Sequence, residues 1–240
     1  MCFCLVTRSI SSIYYIEDID SLRFALSIYD EFNLLKLQPH FPGYPIFCFL
    51  ASFIYMITGS LANSFSIIGA ISTFIIIYYS ILIVSFKNKL SSNYFLMALI
   101  LANPMIWIMS NRYMPDLMGL SLFVASFYML VCQNEKKYMY IGSVISGLLL
   151  GVRLSYFPLL ILPMIKVLRE NKKNTLQFIS SIALGIIIWL IPIVYITGLD
   201  NLIYVAQNQS LGHFTDFGGT MITESDWSYR IKLFLHTIWS

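Results

Sequence analysis

The chain has 240 residues, 58% of them hydrophobic and only 11% charged, with a mean hydropathy of +0.75. An average soluble domain carries roughly 25% charged residues, and so little charge would leave large apolar patches in water, so the composition excludes a soluble globular domain and points to a lipid-embedded one. The formal charge of +3, with no basic stripe interleaved with aromatics, excludes nucleic acid and leaves membrane lipids as the expected surroundings.

Residues 1–16 carry Arg8 in their middle, are too short to cross a bilayer and lack a signal-peptide pattern. Cys2 and Cys4 have no neighbouring His or second Cys pair to complete a metal site, while Cys48 and Cys132 sit in apolar runs as small hydrophobes. No metal ligand set is therefore expected. In EDIDSLRFAL, Asp20 precedes Leu22, Phe24, Ala25, Leu26 and Ile28, which fall on one side of an amphipathic helix. Asp20 reads either as the N-cap of that helix, with Ser21 competing, or as a functional acid. The stretch PHFPGYP at 39–45 has three prolines and a glycine and resists a simple helix start. An apolar segment, 44–60, follows it.

Ser64 to Phe86 is charge-free and the clearest membrane span. Tyr94 to Met109 is expected to kink at Pro104. Leu117 to Cys132 is charge-free, and Tyr138 to Val152 and Leu154 to Ile165 flank Arg153 as two short crossings in preference to one bent helix. Thr175 to Thr197 completes six full spans, and Arg230 to Ser240 begins another. The basic residues alternate between loops: Lys87, Lys89, Lys136, Lys137, Lys166, Arg169, Lys172 and Lys173 fall on one set, and none lies between 198 and 229. Positive charge marks the cytoplasmic side, which assigns 87–93, 133–137 and 166–174 inside and 110–116, Arg153 and the loop 198–229 outside. On this topology only Glu135 and Glu170 of the 12 acids are cytoplasmic. One transmembrane domain is expected: an external acidic region with juxtamembrane helices over 1–63, transmembrane helices over 64–197, an external loop over 198–229 and the start of a further span over 230–240. The fold class is all-α and polytopic.

Among the acids, Asp116 follows Pro115 and reads as a cap or as a functional carboxylate near the bilayer surface. Arg153 reads as a snorkelling interfacial cation or as a phosphate ligand. His40 and His213 read as structural or as pocket residues. DSLRFALSIYDEF followed by QPHFPGYPIF resembles a pattern of membrane glycosyltransferases of the GT-C superfamily, including protein mannosyltransferase-like and aminoarabinose-transferase-like members. NPMIWIMSNRYMPDLMGL and GVRLSYFPLLILP resemble that superfamily's second external acid and a following arginine-containing turn. The likeness covers residues 17–168; Phe41 stands where the pattern usually has proline, and the span that should precede the acidic loop is absent or reduced to 1–16.

The resemblance implies an outer-face helix at 44–60, which brings Asp20, Asp116 and Arg153 to one side. It further implies an inverting glycosyltransferase that moves a sugar from a polyprenyl-phosphate donor to an acceptor hydroxyl on a glycan, lipid or protein, at the extracytoplasmic face of a bacterial-type plasma membrane. Asp20 would be the general base, with Asp116 as the second catalytic acid. Arg153, Arg112, His40, Tyr44 and His213 would line the substrate sites, and the lipid-linked donor is the one small-molecule partner required. Two alternatives stay open. One is an inactive or partial remnant of such an enzyme, since the superfamily has more spans than this chain. The other is a transporter subunit, which the absence of repeats and of mid-span acids disfavours.

Overall fold

The computed structural model describes residues 1–87, 93–215 and 227–239, and among them the secondary structure is all-helical. The first helices are α1 (Cys2–Ile10), α2 (Ile19–Tyr29), α3 (Pro45–Thr58) and α4 (Leu61–Lys87). Next come α5 (Asn93–Ala102), α6 (Pro104–Met109), α7 (Asp116–Phe127) and α8 (Lys136–Leu150). The chain ends in α9 (Phe157–Glu170), α10 (Thr175–Thr197), α11 (Leu199–Thr215) and α12 (Trp227–Trp239). Two compact units result, Met1–Gly198 and Leu199–Ser240, where one domain was expected. In the second unit, 199–215, part of the external loop expected over 198–229, forms a helix, and 216–226 lie outside the described residues.

Local chemistry explains the breaks. Asp18, not Asp20 or Ser21, caps α2: its extended backbone turns the carboxylate onto the Ser21 N–H at 2.7 Å. The 31–44 segment is built from turns. Asn33 caps the short 3-10 turn Leu34–Lys36 and pairs its backbone with Gln38, and Leu37, Gly43 and Tyr44 take positive φ. The peptide bonds before Pro39 and Pro42 are cis. Pro45 then occupies the first turn of α3, where a missing N–H costs nothing. With 14 residues, α3 is about 21 Å long and falls short of a ~30 Å hydrocarbon core.

Of the six expected spans, two have helices long and apolar enough to cross a membrane, Leu61–Phe86 and Lys172–Thr197, among the described residues. The span expected at 94–109 is broken rather than kinked. The Asn103 side chain accepts from the N–H groups of Met105 and Ile106 at 2.9 and 3.3 Å, Pro104 follows, and α6 restarts there. The helix at 117–132 begins at Asp116 and ends in a π turn, Tyr128–Cys132, whose Val131 carbonyl accepts from Lys166 Nζ at 2.7 Å. Between α8 and α9 the chain turns at Gly151–Tyr156, so the segment around Arg153 is two helices and not one bent rod.

Packing in the first unit starts from the α3–α4 hairpin. Phe47, Cys48 and Ala51 of α3 meet Ala62, Phe65 and Ile68 of α4, with Phe24 of α2, Tyr113 and Val152 closing the same cluster. The α8–α10 crossing is tighter. A Cβ on Gly147 would run into the Ile182 carbonyl, and one on Gly185 into the Val144 carbonyl. Glycine at both positions lets the backbones touch, as in helix pairs that associate without a hydrophobic drive. Trp189 Nε1 donates to the Gly147 carbonyl at 3.0 Å across that contact. The outward side of α10 stays apolar, with Leu176, Leu184, Ile187, Ile188 and Ile191 exposed.

Candidate functional site

Three turns converge beside the first-unit core. The cap at Asp18 sets the phase of α2 so that Asp20, two residues on, leans out of its first turn rather than capping it. Arg23, one turn later, donates to Asp20 Oδ1 at 3.1 Å. The PHFPGYP turn brings His40 and Tyr44 to the same place, with His40 Nδ1 3.7 Å from Asp20 Oδ1 and Nε2 2.9 Å from the Tyr44 hydroxyl. The third turn delivers Arg153 in extended backbone, anchored by its own N–H to the Leu149 carbonyl at 2.8 Å. It is tied to the start of α3 by the Ile46 N–H on the Gly151 carbonyl at 3.3 Å.

These residues line one cleft of about 320 Å³, formed by Asp20, His40, Pro42, Tyr44, Met114, Arg153, Leu154 and Ser155. The Arg153 guanidinium lies 5.7 Å from the Tyr44 ring centroid and its Nη2 is 2.9 Å from Asp116 Oδ1. The result is a continuous chain of charge and hydrogen-bonding groups: Asp20, His40, Tyr44, Arg153, Asp116. Burial raises the Tyr44 phenol above its ordinary pKa, with the Arg153 cation opposing and both carboxylates reinforcing the shift. Tyr44 also holds a left-handed backbone, φ 45°. For a bulky side chain that is a strained conformation of the kind that gathers at functional sites.

Asp116 shows no cap bond to its own helix, and its carboxylate is spent on Arg153. Beneath the pair sits Gly119, where a Cβ would come within 2.9 Å of Arg153 Cβ and 3.0 Å of the Tyr156 ring. The Tyr156 hydroxyl donates to the Asp116 carbonyl at 3.3 Å. On its other side Asp116 borders a second, apolar hollow of about 130 Å³ with Met105, Ile106, Met109, Leu117, Leu120 and Tyr156.

Arg112 is placed elsewhere. Its Nε lies 2.6 Å from Glu17 Oε2, close enough for an ion pair but without hydrogen-bond geometry, and its Nη2 meets Asp18. With Asn111 Nδ2 on Ser11 Oγ at 2.9 Å and Tyr113 O–H on the Ile13 carbonyl at 2.8 Å, it staples the turn before α7 to the segment before α2. Arg112 is thus a clamp outside the cleft lining, where the sequence suggested a substrate ligand. His213 falls on the last turns of α11, and its side chain lies outside the described residues. Sequence reasoning missed Glu17 and Asp18 as the clamp's partners and Tyr156 and Ser155 as lining. Only the adjacency of Tyr156 and Ser155 to Arg153 carried a signal for them. No grouping of three or more His, Cys, Asp or Glu side chains suited to a metal ion occurs among the described residues. Comparison with protein-family models, with curated proteins and with solved structures finds no match.

Proposed function

We propose that this chain is an integral membrane glycosyltransferase that moves a sugar from a polyprenyl-phosphate carrier to an acceptor hydroxyl in the cleft between the α2 start, the PHFPGYP turn and the Arg153 turn. The observation that supports it most is the convergence, from positions 20, 40, 44 and 153, of a carboxylate, an imidazole, a phenol and a guanidinium on one cleft. Apolar side chains left exposed along α9 and α10, among them Leu159, Leu162, Leu184 and Ile188, fit a lipid surround better than water. The distribution of Lys and Arg supports an extracytoplasmic side for the cleft.

The reaction needs few groups. The Asp20 carboxylate takes the proton from the acceptor hydroxyl as that oxygen bonds to the anomeric carbon. The carbon–oxygen bond to phosphate breaks on the opposite side, the electron pair leaves with the phosphate, and the configuration inverts. Arg153 neutralises the charge that gathers on the leaving phosphate, which a fixed guanidinium does without reorganising. Arg23 and His40 hold the base in place, and Tyr44 offers its hydroxyl to the sugar or the phosphate.

The test is Asp20→Asn in the full chain reconstituted in nanodiscs, following sugar release from a polyprenyl-phosphate sugar. Asparagine keeps the size and removes the base, so turnover should fall ~10²–10⁴-fold with the protein still folded. Undiminished turnover would remove Asp20 from the chemistry, and absence of any sugar release by the wild type would remove the reading itself.

A further inference from the structure

The Asp116–Arg153 pair stands where two unlike cavities meet. Arg153 lines the polar cleft, Asp116 is the only charged group on the apolar hollow among the described residues, and the two bond at 2.9 Å. A carboxylate bordering an apolar hollow is costly unless paired, and the pairing here is partial: the side chains keep 31% and 25% of their exposure. Arg153 is also only half used by Asp116. The carboxylate takes Nη2, while Nε is buried and has no hydrogen-bond partner. A guanidinium presents Nε and Nη as a fork, and the ligand that matches both prongs with tetrahedral oxygens is a phosphate.

We propose that Asp116 holds Arg153 in place of a phosphate, and surrenders it when a phosphate ester on a long apolar chain binds with its head on the Nε–Nη fork and its chain in the hollow of Met105, Ile106, Met109, Leu117 and Leu120. This rests on the glycosyltransferase reading for the identity of the ester, a polyprenyl phosphate. The exchange itself follows from the geometry of the pair. No bond to carbon forms or breaks; one ion pair replaces another, and the freed Asp116 carboxylate turns toward the cleft. Asp116 is therefore a competitor for the ligand, and its removal tightens binding.

The experiment measures binding of farnesyl phosphate, farnesol and inorganic phosphate to the full chain in nanodiscs. Wild type, Asp116→Asn, Arg153→Gln and Arg153→Lys are compared, each checked by thermal unfolding. Asp116→Asn should bind farnesyl phosphate about two- to fivefold tighter, the scale on which a partly exposed ion pair acts. Farnesol affinity should not move. Arg153→Lys keeps the charge without the fork and should lose about tenfold, and Arg153→Gln more. Nanodiscs with and without phosphatidic acid separate the two sources of such a head group: competition assigns it to bilayer phospholipid, and its absence to the isoprenyl ester. Equal or weaker farnesyl phosphate binding by a folded Asp116→Asn overturns the exchange. Sugar release is scored separately in the wild type. Exchange without transfer removes the glycosyltransferase reading alone, and transfer with no tightening in Asp116→Asn removes the exchange alone.

Discussion

At the scale of single residues, the EDID stretch shows what spacing conveys and what it hides. Three acids stand within four positions, and any of them satisfies the composition of an N-cap. Which one caps depends on the backbone angles ahead of the helix, and those are set by where Arg112 and the 110–116 turn hold the chain. Asp18 takes the cap and the Arg112 ion pair together, which leaves Asp20 for the cleft. Asp18→Ala should therefore cost about 1 kcal/mol of stability through the cap alone. Asp20→Asn should leave the melting temperature unchanged, and equal losses from the two would refute this division of labour. The Asp18 carboxyl is held below its ordinary pKa chiefly by the Ser21 N–H, with the Arg112 charge assisting. The folded state thus binds this proton less well than the unfolded chain, whose value is ~3.9. The stabilisation is present above about pH 4 and is lost as pH falls through the folded value. The advantage of the wild type over Asp18→Ala in thermal unfolding should accordingly shrink between pH 6 and pH 3, and a constant gap would contradict the assignment. Arg8 lies at the other extreme of legibility. It reads as a charge that keeps residues 1–16 out of the membrane, yet it is fully buried with its guanidinium 3.7 Å over the Trp107 ring. Nothing in the spacing announces that partner, ninety-nine residues away.

At the scale of elements, long apolar runs were legible and their interruptions less so. The run 175–197 coincides with α10, and 64–86 lies within α4, because neither contains a competing cap or a charge. Asn103 was invisible as a breaker: an asparagine before proline inside an apolar run becomes a cap only when its side chain finds two free N–H groups. The helix over 199–215 was hidden by its low hydropathy, since a search for spans passes over it. Glycines divide the same way. Gly59 ends α3 at φ 63° with open space around its Cα, so Gly59→Ala costs only backbone strain, about 1 kcal/mol. Gly147 is helical but lies against the α10 backbone, which no rotamer change relieves. Gly147→Ala should cost more, roughly 1–3 kcal/mol and with loss of the Trp189 bond. Thermal unfolding of the two variants, with Trp189 fluorescence as a local probe, checks the order. A Gly147→Ala protein at least as stable as Gly59→Ala would mean that α8 and α10 are not pressed together.

At the scale of the whole molecule, the proposed membrane topology has to be compatible with the cleft. Asp20 lies far from Asp116 and Arg153 along a chain whose basic loops alternate. The three lie together in the structure, Asp20 and Arg153 on one cleft and Asp116 bonded to Arg153, and the proposed topology is consistent with this only if the segments between them return to the same side. The brevity of α3 is compatible with that topology: at about 21 Å it would not carry Asp20 to the other face of a bilayer. That convergence was legible from motif likeness and charge alternation together, whereas the separation of 199–240 as its own unit was not, because no composition shift marks Gly198. The topology makes one prediction that needs no substrate. Lys172 precedes α10 and Ser210 follows it, and both are exposed. If α10 crosses the bilayer, cysteines at these two positions face opposite sides. In a Cys2→Ser background, which removes the one exposed native thiol, a membrane-impermeant maleimide added to intact cells should label Ser210→Cys. It should spare Lys172→Cys until the membrane is permeabilised. Labelling of both from outside would mean that α10 does not cross, and the alternation of basic loops would then lose its meaning as a topology signal. The mirror-image result, Lys172→Cys alone from outside, would keep α10 as a span and move the cleft with its carboxylates to the cytoplasmic face. A sugar carried on a lipid at the outer leaflet would then be out of its reach.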